Sequence, residues 1–154
     1  MKKERFYILN GLILALVFAL VMGGCTQTAT TTQDTEKAMT TEELVAEEKS
    51  KICEVSVSEA KELLDKGGHL FIDCREPKEF KMGHIPGAIN IPRGLLEFKI
   101  EKKVPEKDTQ IIMYCKKGGR GCLASFCLCR MGYTNARNMD GGWMAWEKAG
   151  FPIE

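Results

Sequence analysis

The chain has 154 residues, which is enough for one ordinary domain with additional segments. Its 22 basic and 21 acidic residues leave a formal net charge of +1, which excludes the strongly basic surface of a nucleic-acid-binding protein. Loss of residues 1–24, which hold three basic residues and one acidic residue, would change that charge only to −1.

The N-terminus has the layout of a secretory signal. Residues 1–5 are mostly charged, and residues 6–22 form an apolar run that ends at Gly23-Gly24-Cys25. This ending resembles a bacterial lipobox, in which Cys25 would be diacylated and become the mature N-terminus, although methionine replaces the usual leucine three positions earlier. An uncleaved anchor helix is the alternative, because the run approaches the ~20 residues that span a bilayer. Both interpretations predict an exported domain tethered to a membrane, at its periplasmic or extracellular face.

Two short segments connect this signal to the main domain. Residues 25–39 are rich in Thr and lack apolar periodicity, which predicts a flexible linker. Residues 40–51 begin with a capping box, Thr40 to Glu43, and predict an N-terminal helix with Leu44 and Val45 on its apolar face. Because so few apolar residues are available, two alternatives stay open: a helix packed on the domain edge, or a solvated helical linker.

Residues 52–154 alternate short apolar runs with segments of helical periodicity. A second capping box, Ser56 to Glu59, opens the first helix of this part, and Gly67 ends it. The alternation predicts a parallel sheet covered by helices on both faces, with ligands bound at the carboxyl ends of the strands. The predicted strands are 70–72, 88–91, 111–114 and 136–139, and the later helices are 76–81, 95–102, 122–131 and 143–149.

The most informative stretch is residues 114–121, a loop between a predicted strand and a predicted helix. Such a loop directs successive backbone N–H groups at one point, where the helix N-terminus adds partial positive charge. Lys116, Lys117 and Arg120 crowd further cations there, which is unfavourable unless an anion is held. A thiol in this position titrates well below its free pKa of about 8.5, so we predict that Cys115 is a nucleophilic thiolate. The alternative is a buried cysteine beside a solvated basic turn.

Together with this loop, further motifs resemble the rhodanese domain family. They follow the family's order and lie within residues 52–154. The resemblance implies a three-layer α/β/α fold with a central parallel sheet of about five strands. The matching segments are Asp73 to Pro77, Glu79-Phe80, Gly83 to Pro92, Cys115 to Arg120, and Asp140 to Trp143 with Trp146.

The resemblance also implies a sulfurtransferase reaction. The Cys115 thiolate would attack a sulfane sulfur donor, hold the atom as a persulfide and pass it to a thiophilic acceptor, with no cofactor and no metal. The N–H groups of residues 116–121 would stabilise the persulfide, Gly118 and Gly119 permit the tight curl, and Arg120 closes the loop. In the family, basic residues at the positions of Lys116 and Lys117 accompany a preference for thiosulfate. The expected partners are therefore a small anionic donor and a thiol or cyanide-like acceptor.

Two features of the loop bear on its chemistry. Gly121 stands where relatives usually carry Ser or Thr, so the missing hydroxyl bears on the catalytic rate. Cys115 and Arg120 have four residues between them, whereas dual-specificity phosphatases and arsenate reductases of this fold have one residue more. The tighter ring favours a sulfur atom over a tetrahedral oxyanion such as phosphate.

The strand end at residues 73–75 is predicted to share the site. Asp73 pairs with Arg75, holds loop amides or caps a helix, and the resemblance implies that it supports the site. Cys74 matches a back-door cysteine of the related phosphatases, which implies a reversible disulfide with Cys115. That bond requires Cα atoms about 4.4–6.8 Å apart. The alternative is that Cys74 is a small apolar residue at a strand end.

The remaining candidates are predicted to be structural. His84 lies in a turn with no carboxylate at motif spacing to orient it, which favours a hydrogen-bonding role. Trp143 and Trp146 share one helix face and are interpreted as core. Once Cys25 and Cys115 are assigned, an odd number of cysteines remains without a metal-like CxxC pair, so we expect mostly free thiols. Besides Cys74 they are Cys53, Cys122, Cys127 and Cys129.

Three functions follow from these patterns. The first is a membrane-tethered sulfurtransferase that uses Cys115. The second is a non-catalytic carrier that accepts persulfide from a partner protein. The third is a thiol redox protein that uses Cys74 and Cys115 as a pair. The sequence favours the first and leaves the physiological donor and acceptor open.

Overall fold

A computed structural model describes residues 38–154. The predicted signal or anchor at 1–24, the lipidation site Cys25 and most of the predicted linker at 25–39 lie outside these residues. Among residues 38–154, none of the helices is long and apolar enough to cross a membrane.

The predicted α/β fold is confirmed: a five-stranded parallel sheet lies between two layers of helices. The strand order is β1-β5-β4-β2-β3. The strands are β1 (Cys53–Val55), β2 (Leu70–Asp73), β3 (Ile89–Asn90), β4 (Ile111–Tyr114) and β5 (Ala136–Met139). The helices are α1 (Thr41–Lys49), α2 (Val57–Lys66), α3 (Pro77–Lys81), α4 (Leu96–Lys103), α5 (Gly119–Arg130) and α6 (Gly142–Lys148), and a 3-10 turn, Arg93–Leu95, leads into α4.

One strand of the sheet was not predicted. β1 has three residues, lies at the sheet edge and pairs with β5, and only Val55 of its side chains is buried. Such a short segment has neither the apolar run of a buried strand nor enough residues to show alternation. Its pairing with β5, far away in the chain, decides its conformation.

The strand pleat divides the core into two clusters. Ile111 and Met113 of β4 face α4 and α5, whereas Ile112 and Tyr114 face α2 and α6. All four side chains are 0% exposed. A strand buried on both faces reads as a continuous apolar run, which is why β4 was the easiest strand to predict.

The N-terminal helix packs on the domain. Thr40 and Glu43 form the predicted reciprocal capping box, with bonds of 2.8 and 3.1 Å. The helix ends at Lys49, two residues before the predicted end, and the carbonyl of Val45 accepts a hydrogen bond from the Cys122 thiol of α5 at 3.7 Å. Lys51, just after α1, lies 5.3 Å from the centre of the Phe126 ring of α5. Of the two alternatives for residues 40–51, the structure therefore shows the packed helix.

The two central strands bring the predicted site residues to one edge. β2 and β4 pair in register, with Asp73 opposite Tyr114, and the Cys74 N–H continues the ladder to the Tyr114 carbonyl at 2.9 Å. Cys74 and Cys115 are the next residues on each strand, and both belong to the core cluster under α4 and α5.

Candidate active site

The loop after β4 curls its amides around one sulfur atom. The Gly118 N–H donates a hydrogen bond to Cys115 Sγ at 3.2 Å, and Gly118 reaches this position with a φ of +100°, which favours glycine. Helix α5 begins at Gly119, three residues before the predicted start at Cys122, so residues 119–121 form its first turn. The helix N-terminus therefore lies closer to the sulfur than the sequence predicted.

The other face of the loop is held by α6. The N–H groups of Trp143 and Met144 donate to the carbonyls of Cys115 and Lys116, at 2.7 and 3.0 Å. Gly142 has a φ of +58°, and a Cβ there would collide with the Cys115 carbonyl. The N–H groups of α6 thus satisfy these two carbonyls on one side of the loop, while loop amides face the sulfur on the other.

Cys115 is poised to be a thiolate. A hydrogen bond from the Cys74 thiol is the largest influence, and with N–H groups of Gly121, Lys117 and Gly118 it lowers the pKa of Cys115 to about 5, against the opposing effect of burial. The same bond, together with burial, raises the pKa of Cys74 well above its ordinary value. At neutral pH the pair is therefore one thiolate and one thiol.

The thiolate is buried but faces hydrogen-bond donors. Cys115 is 2% exposed, whereas the side chains of Lys116 and Lys117 are exposed at the rim. The sequence predicts that amides and neighbouring cations lower the pKa of Cys115, and it makes Cys74 a possible disulfide partner or a small apolar residue. The Cys74 thiol has the largest effect on that pKa, and both cysteines are free thiols.

Arg120 connects the loop to a neighbouring helix. Its guanidinium reaches α3 and forms an ion pair with Glu79 at 3.4 Å. Although partial burial acts in the opposite direction, the hydrogen bond from the Glu76 N–H and the contact with Arg120 lower the pKa of Glu79. Arg120 thus ties the first turn of α5 to α3, and its closure of the loop around the sulfur stays a prediction.

Asp73 and Arg75 lie on the opposite face of the sheet from Cys115. Arg75 donates to the Asp73 carboxylate through Nε at 2.8 Å and Nη2 at 2.6 Å, and both side chains are buried. Arg75 Nη2 also donates to the Gly83 carbonyl at 2.8 Å, and the guanidinium lies 4.5 Å from the Trp143 ring centre. Of the three alternatives for Asp73, pairing with Arg75 is observed, and Asp73 Oδ1 also accepts the Arg75 backbone N–H at 2.8 Å, so the carboxylate supports the strand end.

Asn138 explains why residue 121 is a glycine. A Cβ on Gly121 would collide with Oδ1 of Asn138, a fully buried side chain on β5. Asn138 Nδ2 donates to Glu54 at 2.6 Å, and Lys49 then bridges Glu54 and Asp140 at 3.0 and 2.9 Å. The space that a serine or threonine side chain would need is filled from β5, and that amide is linked to α1.

A small cavity lies beside the loop, between α3 and α6. It has a volume of about 230 Å³ and includes Lys116, the residue next to Cys115. Its lining residues are Arg75, Glu79, Met82, Gly83, Lys116, Trp143 and Glu147. A larger cavity of about 600 Å³ runs along α5, where the Cys127 thiol donates to Glu97 at 3.1 Å, but no loop residue lines it.

The residues predicted to be structural have structural contacts. The His84 ring bonds the Phe80 carbonyl at 3.1 Å and stacks on the Phe80 ring with centroids 3.7 Å apart. Trp143 and Trp146 are 6% and 0% exposed in the core under α2 and α6. All six cysteines among residues 38–154 are free.

Several residues that position the site were given no role from the sequence. Asn90 Nδ2 donates to the Asp73 and Arg75 carbonyls, both at 2.9 Å, which fixes the end of β2. Asn90 and Glu79 lie inside two of the segments that resemble the family, and this place in the motifs was the sequence signal that could have identified them. Asn138 is a polar residue within a predicted strand, and a polar side chain that a sheet buries needs a hydrogen-bond partner, which was a second signal.

The chain is similar to a known protein family and to several known proteins. The family model described as Rhodanese-like domain matches residues 56–149. Thiosulfate sulfurtransferase 16 of Arabidopsis thaliana is 38% identical over 122 residues, which are 71% of this chain and 99% of that protein. A Rhodopseudomonas palustris protein of unknown function, titled a possible tyrosine phosphatase, has a TM-score of 0.70 at 30% identity, over 77% of this chain and 96% of its own. The human single-domain sulfurtransferase TSTD1 has a TM-score of 0.56 at 32% identity, over 62% of this chain and 95% of its own.

Proposed function

The chain belongs to the rhodanese-like domain family, and on that premise we propose that it is a sulfurtransferase that carries a sulfane sulfur as a persulfide on Cys115. The observation that carries the proposal is the buried sulfur with a pKa lowered to about 5, first by the Cys74 thiol and then by loop amides. A thiolate held by neutral donors keeps a lone pair for attack on sulfur.

In the first half-reaction, a small anionic donor of the thiosulfate class gives up its outer sulfur. The Cys115 thiolate attacks that sulfur, the sulfur–sulfur bond of the donor breaks, and sulfite leaves with the electron pair. One negative charge passes from the thiolate to the outer sulfur of the new persulfide. The N–H groups of Lys117, Gly118 and Gly121 already face the sulfur and suit a persulfide anion.

In the second half-reaction, an acceptor removes the sulfur. A nucleophile such as cyanide attacks the outer sulfur and leaves as thiocyanate, and the electron pair of the broken bond returns to Cys115. The Cys74 thiol can donate its hydrogen bond to the restored thiolate, which makes Cys115 a good leaving group. The exposed charges of Lys116 and Lys117 favour an anionic donor such as thiosulfate, the substrate in the name of the Arabidopsis relative.

Turnover of the purified full-length protein with thiosulfate and cyanide tests this proposal. We expect thiocyanate release, and we expect Cys115→Ser to abolish it because a hydroxyl is not ionised at neutral pH. Cys127→Ser is the matched control, since that half-exposed thiol lies outside the loop. Mass spectrometry after thiosulfate alone should show one added sulfur atom on Cys115. Sulfur loading without turnover would favour the carrier function, and no loading would overturn the proposal.

A thiol redox function is the second candidate, because one observation favours it. Cys74 and Cys115 are neighbours at the ends of paired strands, and adjacent strands are about 4.8 Å apart, within the Cα separation that a disulfide needs. The Cys115 thiolate would attack a small disulfide and release one thiol, and Cys74 would then displace the second thiol. Loss of two hydrogens after treatment with oxidised glutathione, without sulfur loading from thiosulfate, would support this function over sulfur transfer.

Membrane tethering through Cys25 is part of the same proposal. It rests on the sequence pattern at residues 1–25, which lies outside the described residues. Metabolic labelling with an alkyne fatty acid tests it in a bacterial host. We expect label on the wild-type protein and none on Cys25→Ala, whereas an unlabelled protein retained in the membrane would indicate an uncleaved anchor.

A further inference from the structure

One cation of the N-terminal helix bridges two carboxylates behind the loop that holds Cys115. Lys49, the last residue of α1, places its Nζ 2.9 Å from Asp140 Oδ1 and 3.0 Å from Glu54 Oε2. The family model matches residues 56–149, so Lys49 and Glu54 both lie outside the matched segment. This cation therefore joins a part of the chain that precedes the family match to the residue that follows β5.

The Glu54 carboxylate leads to one of the loop amides. Glu54 Oε1 accepts a hydrogen bond from Asn138 Nδ2 at 2.6 Å. Asn138 is fully buried, and its Oδ1 fills the space that a Cβ on Gly121 would need. The Gly121 N–H is one of the donors that lower the pKa of Cys115. A continuous line of contacts therefore runs from Lys49 to one donor of the loop.

The Asp140 carboxylate lies behind a second loop amide. A Cβ placed on Gly118 would be 3.8 Å from Asp140 Oδ1, the same oxygen that Lys49 contacts. The Gly118 N–H donates to Cys115 Sγ at 3.2 Å. The backbone of Asp140 is fixed as well, since its N–H donates to the Val55 carbonyl at 2.9 Å. Through its two carboxylate partners, Lys49 thus reaches two of the amides that face the sulfur.

The two carboxylates need the cation between them. Both lie within hydrogen-bond distance of the same Nζ, so they lie close to each other, and like charges at short range repel. The hydrogen bond from Lys49 lowers the pKa of Asp140, which keeps this carboxylate ionised at neutral pH. Without Lys49 the two acidic side chains would separate, and the Asp140 side chain, already 60% exposed, can move into solvent.

We propose that Lys49 is a positioning residue for sulfur transfer, because it holds together the two carboxylates that lie behind Gly118 and Gly121. The proposal rests on the sulfurtransferase function and adds to it a residue of α1. With the cation in place, the two glycine N–H groups keep their direction toward the Cys115 sulfur. When it is removed, their support shifts and the anion on the sulfur is less well stabilised.

The pH dependence of Cys115 alkylation in full-length Lys49→Met tests the proposal. Iodoacetamide is the reagent, and peptide mass spectrometry measures the modified fraction. We expect the midpoint to rise by about half a pH unit, the scale set by a partly exposed ion pair. Because the pKa of Cys115 is about 5, alkylation should slow about twofold at pH 5 and stay unchanged at pH 8, where the thiolate is fully formed. The rate of sulfur loading from thiosulfate should fall in the same proportion at pH 5.

Two further variants complete the design. Lys49→Arg can retain both ion pairs and should keep the midpoint of the wild-type protein. Lys51→Met is the matched control, because the Lys51 side chain is 41% exposed against 37% for Lys49 and pairs with two other carboxylates, those of Glu47 and Glu48. Its midpoint should not move. The other ionisable groups that act on Cys115 are the same in all three variants: Cys74, Arg120 and Cys122.

The possible results separate this proposal from the function on which it rests. An unchanged midpoint in Lys49→Met, or an equal shift in Lys51→Met, would overturn the positioning role. Alkylation slowed equally at pH 5 and pH 8 would also overturn it, because such a result reports a general change in access to the sulfur. A wild-type protein that takes up no sulfur from thiosulfate would instead contradict the sulfurtransferase function, since alkylation detects the thiolate without any transfer.

Discussion

Two acidic groups lie at neighbouring strand ends and are held in different ways. The Cys115 thiolate is surrounded by neutral donors, the Cys74 thiol and loop amides. The Asp73 carboxylate, 0% exposed on the other face of the sheet, is held by the full positive charge of Arg75 at 2.6 Å. Neutral donors stabilise a charge yet leave a lone pair free to react, whereas a bidentate counter-ion occupies it. One edge of the sheet thus has one anion held by neutral donors and one structural anion held by a counter-ion.

Removal of the structural charge should have the largest effect. Asp73→Asn would leave the buried Arg75 without its counter-ion, and loss of one partner of a buried pair costs about 3–5 kcal/mol. Urea unfolding followed by tryptophan fluorescence would measure it. Asp140→Asn is the matched control, since the Asp140 side chain is 60% exposed and its pair with Lys49 should contribute less than about 1 kcal/mol. Equal losses in the two variants would show that Asp73 is no more important to stability than an exposed carboxylate, and would contradict its structural role.

The N–H groups of Lys117, Gly118 and Gly121 form an amide ring around the Cys115 sulfur. Crowding of this amide ring should have the next largest effect. Gly121→Ser would place a side chain against Asn138 Oδ1 and displace the first turn of α5, at a cost of about 1–3 kcal/mol, with a parallel fall in thiocyanate release. The double variant Gly121→Ser with Asn138→Ala should be more stable than the two single effects predict together. Gly94→Ser is the control, because no atom lies within 4 Å of a Cβ at that position. Strict additivity of the two changes would show that Asn138 does not determine this glycine.

Loss of the Cys74 donor should change chemistry more than stability. Cys74→Ala removes the largest influence on the pKa of Cys115, so that pKa should rise from about 5 toward the ordinary value while the loop amides keep it below that value. The thiolate fraction, and with it thiocyanate release, should fall at pH 6 and recover near pH 9. The pH dependence of Cys115 alkylation, followed by peptide mass spectrometry, measures this shift.

The matched variant for that prediction is Cys74→Ser, which retains a donor at the same position. Its alkylation midpoint should stay close to that of the wild-type protein. If the alkylation midpoint of Cys115 in Cys74→Ala does not move, the amide ring alone stabilises the thiolate. The Cys74 thiol would then have no part in lowering the pKa of Cys115.

Much of the fold was predictable because its signals are local. β4 is an uninterrupted apolar run, and the Thr40–Glu43 capping box was observed as predicted. β1 was missed because three edge residues show no periodicity. The start of α5 was predicted too late because glycines are poor helix formers, and here the loop geometry and not intrinsic propensity places Gly119 in the first turn.

The sequence by itself predicted the candidate cysteine Cys115 and the amide ring around it, because a strand, a glycine-rich turn and a helix that are consecutive in the chain define that geometry. Only the tertiary structure decided the neighbours: the Cys74 thiol beside the sulfur, the face of the sheet on which Asp73 and Arg75 pair, and Asn138 against Gly121. The reason is the order of the sheet, in which β4 lies between β2 and β5. Pairing across a parallel sheet joins strands that are distant in sequence, and the pleat then assigns each side chain to one face.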